Sequence, residues 1–261
     1  MPLDLTEYKV LSFDIYGTLI NWEKGIYEQL LELLGGPEVE RAIGATSAEG
    51  MRHDLLSMYH QFERTLQKSY PDMSYQTVLQ EIYNLIAERL ELPADQVKAQ
   101  EFGASIEKWP AFSDTVEAMQ MLSRHYKLVV LSNVDENSFA GTRRGPLYGV
   151  KFDAIYIASA IGSYKPDLAN FEYLIEHVRK DFGVEKDKIL HVAHSLLHDH
   201  VPAKKIGLRP GVWIERRGRR AIMNGDVDGL IERGRVDFGA TYKNLGEFAM
   251  AAEKAFEGRR K

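Results

Sequence analysis

Residues 8–22, YKVLSFDIYGTLINW, decide the fold. Residues 8–13 form a short apolar run that stops at Asp14 and passes into Tyr16-Gly17-Thr18, which predicts a buried strand ending in a polar turn. Three similar runs follow at 128–132 (LVVLS), 154–157 (AIYI) and 189–193 (ILHVA), with a shorter one at 212–214. Helical patterns lie between them, at 115–125 and at 170–182, the latter with Phe171, Leu174, Ile175 and Val178 on one face. Strands alternating with helices imply right-handed crossovers and a parallel sheet.

Residues 22–108 break the alternation and contain no strand run. They predict amphipathic helices at 25–34, 48–68 and 75–90, with breaks at Pro71 and Pro93. The expected architecture is therefore α/β: a doubly wound, Rossmann-like parallel-sheet core (1–21 and 109–261) with an inserted helical cap (22–108). In open α/β sheets ligands bind beyond the carboxyl ends of the strands. A cap inserted after the first strand is expected to cover that crevice and exclude water.

Composition narrows the function. The 261 residues carry 33 basic and 38 acidic side chains, a formal charge of −5, with 44% hydrophobic and 27% charged residues. That is an ordinary globular balance, without the basic footprint of a nucleic-acid binder. The local cluster Arg216-Arg217-Gly218-Arg219-Arg220 reads as a solvated loop. No apolar run reaches the roughly 20 residues of a membrane span, and the first residues do not read as a signal peptide. With no cysteine, disulfides, thiolate nucleophiles and cysteine metal sites are excluded, and a cytoplasmic home is expected.

Four polar clusters follow the predicted strands: Asp14 to Thr18, Ser132-Asn133, Lys165-Pro166, and His194-Ser195 through His198-Asp199. Singly, each has a plain explanation. Asp14 caps a turn, Ser132-Asn133 starts a helix, Lys165-Pro166 makes a surface turn, and Asp199 caps the helix running into residues 203–205.

Together and in this order, the stretches SFDIYGTLINW, LSN, YKPD and HVAHSLLHDHVPAKKIGLRPGVWIERR resemble the haloacid dehalogenase-like hydrolase superfamily. Phosphatases of that superfamily use Asp-x-Asp in the first motif and an acidic pair in the last that holds magnesium. Here Tyr16 replaces the second Asp, and the last motif reads Ala193-His194-Ser195 with only Asp199 acidic. Asp14, Asp199 and a backbone carbonyl leave at most a weak magnesium site, because magnesium favours several oxygen ligands. No metal or cofactor is expected. Asp-x-Tyr-Gly-Thr instead resembles the type II 2-haloacid dehalogenases.

The resemblance implies that Asp14 attacks the carbon bearing the halogen and forms an aspartyl ester, with Lys165 holding Asp14 ionised. It implies that Asp199 positions the hydrolytic water. Tyr16, Thr18, Ser132, Asn133 and Ser195 are the expected substrate-binding residues, with Thr18, Ser132 and Asn133 donating to the substrate carboxylate or to Asp14. Halide leaves without protonation, so an acid at residue 16 is dispensable. The implied partner is a small-molecule carboxylate, with no nucleic acid and no membrane; a homodimer through cap helices is allowed, although no patch is diagnostic. Rival readings are a magnesium-dependent phosphatase and a catalytically silent binding protein with this fold. Some positions depart from the dehalogenase pattern: Phe171 stands where a tyrosine is usual and Leu196 where an asparagine is common, while Arg52 and Arg64 on cap helices are candidates for the cap arginine that cradles halide, with no alignment choosing between them or a solvated role. Tyr75 and Trp22 are candidates for an apolar wall or for cap packing, and His194 and His198 for neutral polar contacts.

Overall fold

The computed structural model describes residues 3–70, 73–216 and 226–259. The break expected at Pro71 and the cluster members Arg217 to Arg220 lie outside them. The chain divides into two compact units, residues 1–21 with 111–261, and residues 22–110.

The first strand, β1 (Val10–Phe13), is buried at every position. The helical unit then follows as α1 (Trp22–Leu34), α2 (Gly36–Ile43), α3 (Ala48–Ser69), α4 (Tyr75–Arg89) and α5 (Gln96–Gly103). Capping sets these boundaries. Ser47 accepts from the Gly50 amide, Ser74 from the Thr77 amide, and Asp95 from the Val97 and Lys98 amides, which satisfies donors that a helix start leaves orphaned. The unit ends at Pro110 rather than at Lys108 because Trp109 belongs to it. The Trp109 ring fills the space where Gly25 lacks a side chain, and its Nε1 donates to Ser105 Oγ at 3.1 Å. Trp22 is buried edge-on to His60, with ring centroids 5.0 Å apart, and Tyr75 donates to Glu63 Oε1 at 2.6 Å, so both aromatics are bound into this unit's own packing. Arg52 pairs with Glu23 at 3.2 Å, and Arg64 is exposed.

The other unit continues with α6 (Thr115–Leu122), β2 (Lys127–Ser132), α7 (Glu136–Arg144), β3 (Ala154–Ile157), α8 (Ala158–Ile161), α9 (Leu168–Phe182), β4 (Ile189–Ala193), α10 (Val201–Lys205), β5 (Gly211–Ile214), α11 (Val227–Glu232), β6 (Phe238–Tyr242) and α12 (Leu245–Arg259). The strands form one sheet in the order β3-β2-β1-β4-β5-β6, every neighbouring pair parallel. Burial on both faces explains why β1, β4 and β5 read as continuous apolar runs rather than as alternating ones. Phe171, Leu174 and Val178 of α9 pack with Val10, Val129, Leu131 and Ile189 in one core cluster. Each such side chain contributes about 1.5–3 kcal/mol by burial. The chain winds from β1 outward to β3, then restarts at β4 on the other side of β1, so the switch point of the topology lies beside β1. Among the described residues no helix is long and apolar enough to cross a membrane.

Candidate functional site

Three loops at the carboxyl ends of β1, β2 and β4, together with the segment after α8, supply the site. The first is tight: Leu19 and Ile20 amides donate to Ile15 O at 2.7 and 2.9 Å, and Gly17 takes φ +100°, a backbone state that side-chain-bearing residues rarely adopt. This turn brings Thr18 back over Asp14, whose Oδ2 accepts from Thr18 Oγ1 at 2.8 Å. Thr18 Oγ1 also accepts from the His194 amide at 2.9 Å, which joins the loops after β1 and β4.

Lys165 reaches the same point from the segment after α8. Its side chain is 2% exposed, and Nζ donates to Asp14 Oδ1 at 2.9 Å, Asp199 Oδ1 at 2.6 Å and Leu131 O at 2.9 Å. The ammonium therefore spends all three protons on the site, and Asp14, Lys165 and Asp199 form one buried charge triad. Burial alone pushes the Lys165 ammonium down, but the two carboxylates outweigh it and hold it above its ordinary range. Burial likewise works to raise Asp199, yet Lys165 and the His191 hydrogen bond hold its carboxyl well below the usual range.

Asp199 is no helix cap. It lies inside a π-turn at Leu196–His200, completely buried, and Ser195 is the residue that caps that turn, accepting from the His198 amide at 3.2 Å. The Ser195 hydroxyl, expected at the substrate, is thus engaged in local structure, with His198 Nδ1 a further 3.2 Å partner. Lys165-Pro166 is equally far from a free surface turn, since Lys165 is buried.

Asn133, expected to donate to the substrate carboxylate or to Asp14, contacts Lys165. Its Nδ2 donates to Lys165 O at 2.9 Å and its Oδ1 accepts from Lys165 N at 2.7 Å, so the amide clamps the lysine's backbone. The cap of α7 is Asp135 instead. Ser132 is buried, and its Oγ has no hydrogen-bond partner among the described residues. Tyr16 is half-buried with its hydroxyl 2.9 Å from Thr142 Oγ1 on α7, and burial pushes its phenol up. His194 Nδ1 lies 2.9 Å from Ile214 O, and His194 O accepts from Trp213 Nε1 at 3.0 Å, so this histidine ties β4 to β5.

Two departures from the dehalogenase pattern are completely buried, Phe171 in the sheet core and Leu196 against Trp213, Val227, Leu230 and Val236.

Sequence reasoning missed two residues. His191, on β4, is 1% exposed and places Nε2 3.0 Å from Asp199 Oδ1. Its signal was a polar residue within an apolar run. Arg216, read as part of a solvated loop, has a side chain only 4% exposed. Its guanidinium donates to Thr18 O at 2.9 and 2.7 Å, to Asp114 Oδ1 at 2.7 Å, and stacks on Phe112 at 3.9 Å. It braces the loop that carries Thr18.

The donor set is poor for magnesium. Both Asp14 oxygens and Asp199 Oδ1 are already hydrogen-bonded, and among the described residues Asp199 Oδ2 is a buried carboxylate oxygen without a partner. Among the described residues no group of three or more His, Cys, Asp or Glu side chains is placed to hold a metal. What the arrangement offers is a buried carboxylate at a strand end, ion-paired with a lysine that it shares with a second carboxylate.

No curated protein gives a significant sequence match. Among solved structures, the L-2-haloacid dehalogenase of Xanthobacter autotrophicus superposes with TM-score 0.67 at 17% identity, covering 94% of this chain and 98% of that one. The same enzyme has been solved with chloropropionic acid covalently bound. The L-2-haloacid dehalogenase PA0810 gives 0.68 at 18% identity, with 95% and 99% covered. YfnB of Bacillus subtilis, assigned to the HAD hydrolases and solved with magnesium bound, gives 0.66 at 15% identity, with 94% and 99% covered. At these identities the likeness is one of fold, an α/β core bearing a cap. The sequence profile of the haloacid dehalogenase-like hydrolases matches residues 8–207, which contain all four polar clusters. The chain belongs to the haloacid dehalogenase-like hydrolases.

Proposed function

We propose that this hydrolase displaces halide from a small 2-halocarboxylate through an aspartyl ester on Asp14. The observation that carries the reading is the Lys165 ammonium between Asp14 and Asp199, 2.9 and 2.6 Å from them, with Tyr16 standing two residues after Asp14 where a phosphatase would carry its second Asp. A buried carboxylate paired with an ammonium is a competent nucleophile. Asp14 attacks the carbon bearing halogen; the new C–O bond forms as the C–halogen bond breaks, and halide leaves with the electron pair. Thr18 holds the other Asp14 oxygen. The buried, unpartnered Ser132 hydroxyl serves the substrate carboxylate as a donor, Asn133 acts by holding Lys165, and Tyr16 contributes its ring. Water, positioned by Asp199, then attacks the ester carbonyl and releases the 2-hydroxy acid. No resident metal enters this reading, because the lysine takes the place between the carboxylates. The covalent chloropropionate adduct of the Xanthobacter fold relative supports the ester route by analogy. A cytoplasmic location belongs to the same reading.

A second reading, a magnesium-dependent phosphatase, draws on the unpartnered Asp199 Oδ2 and on the magnesium bound in YfnB. Without its metal clamp and acid, phosphoryl transfer is badly handicapped. Haloacids and phosphate esters assayed side by side, with chelator or with added magnesium, decide between them. Halide release that survives the chelator supports the dehalogenase. Turnover of phosphate esters alone, restored by magnesium, selects the phosphatase, and binding without turnover of either class selects a silent binding protein.

A further inference from the structure

His191 is a buried imidazole on an interior strand of the sheet, where an apolar side chain would pack against Phe171 equally well. Burying such a ring costs free energy unless both nitrogens are matched. Both are: Nε2 lies 3.0 Å from Asp199 Oδ1 and Nδ1 2.9 Å from Ser12 Oγ, while the ring stands edge-on to Phe171 with centroids 5.3 Å apart. An ionised carboxylate only accepts, so Nε2 donates to Asp199 and Nδ1 accepts the Ser12 hydroxyl proton. Asp199 thereby selects the tautomer, and the Ser12 hydroxyl satisfies the nitrogen left over. Asp199 Oδ1 then receives two donors, Lys165 and His191, while Oδ2 is left buried and unpartnered among the described residues.

We propose that His191, backed by Ser12, is a positioning residue that clamps Asp199 through Oδ1 and leaves Oδ2 as the acceptor for the water that cleaves the aspartyl ester. The proposal rests on the ester chemistry put forward above and assigns His191 to its second half alone. In that half, water oxygen bonds to the Asp14 carbonyl carbon while one water proton passes to Asp199 Oδ2. The tetrahedral adduct collapses by breaking its bond to the substrate oxygen, which takes that proton back and leaves as the 2-hydroxy acid. Asp14 is left as the acid and sheds its proton to solvent. Each turnover thus consumes one water and releases one halide and one proton. Asp14, Thr18 and Lys165, which serve the attack on carbon, do not touch His191 in any of the contacts above.

The test uses the full-length enzyme and 2-chloropropionate. His191→Phe keeps a ring beside Phe171 and removes the clamp; a misplacement of about 1 Å costs on the order of a hundredfold in rate. The expected result is a burst of one chloride per site followed by turnover about a hundredfold slower, with the adduct accumulating on the Asp14 peptide. His191→Gln, which restores an N–H donor toward Asp199, should recover much of the rate, and Ser12→Ala should show a milder form of the same burst. Wild-type turnover in His191→Phe, or slow turnover with neither burst nor adduct, overturns the proposal. Crystal structures of the Phe and Gln variants read the clamp without any substrate: Asp199 turned in the first and held in the second is expected. An unmoved Asp199 in His191→Phe, or a misfolded Ser12→Ala and His191→Gln pair, overturns it. A wild-type enzyme that releases no halide would instead refute the ester chemistry, and the two structures would still decide the clamp.

Discussion

Replacing Lys165 by Met keeps most of the buried stem and deletes the charge at the centre of the site. Its ammonium is the shared partner of two carboxylates and one carbonyl, all within 2.9 Å. Removing one member of a buried ion pair costs about 3–5 kcal/mol, because the charge left behind is uncompensated. Against a total stability of about 5–15 kcal/mol, that is a large fraction. The pH dependence gives the sign. In the wild type the Asp199 carboxyl is depressed, so its stabilisation is fully present above the unfolded carboxylate pKa near ~4 and is lost as pH falls through the folded value. Lys165 is raised, so its share is present below its unfolded pKa and is lost only as pH climbs through the folded value. In Lys165→Met the two carboxylates face each other unscreened, at least one is raised, and the variant is stabilised by acid. Urea unfolding from pH 4 to pH 8 should therefore show a deficit of about 3–5 kcal/mol at pH 7 that shrinks toward pH 4. Halide release should fall to background at every pH. A Lys165→Met protein as stable as wild type at pH 7, or a deficit independent of pH, would refute the coupling of the triad.

Two further outcomes follow from buried groups. Arg216→Met should cost about 3 kcal/mol by stranding Asp114 and Thr18 O, and should lower kcat by loosening the Thr18 loop, measured by urea unfolding and steady-state rates. His200 is pushed down to about 4 by burial, so its neutral form is favoured in the folded state. Its contribution is complete above pH 6.5 and is lost as pH falls toward 4, a loss of about 3 kcal/mol at most. His200→Phe should flatten the stability profile over that window, and an unchanged profile there would exclude His200 as its source.

The motifs were legible in the sequence because strand ends and turns leave local marks: an apolar run, then Asp14, then a glycine that takes φ +100°. The long helices α3 and α4 were legible from period and the prolines that bound them, while the short α2 and α5, of 8 residues each, carry too few turns for a period to show. The edge strand β6 escaped because FGATY is only partly buried and contains a glycine. Side-chain roles were less legible. Ser195 and Asn133 have the right chemistry for a substrate and sit at the right strand ends, yet Ser195 is engaged within its own turn and Asn133 by the backbone of Lys165. Arg216 looked solvated because a run of arginines usually is, and only the fold brings Asp114 and Phe112 to it. His191 depends on a partner eight residues away that a π-turn carries back over the strand.

The most direct measurement is a single turnover in heavy-oxygen water, with enzyme in excess over the best haloacid and a chelator present. Water attacking the ester carbonyl leaves its oxygen on the enzyme. The account predicts label in the carboxylate of the Asp14 peptide and none in the 2-hydroxy acid released. Label in the product with an unlabelled Asp14 peptide would mean that water attacks the substrate carbon directly, and would contradict it.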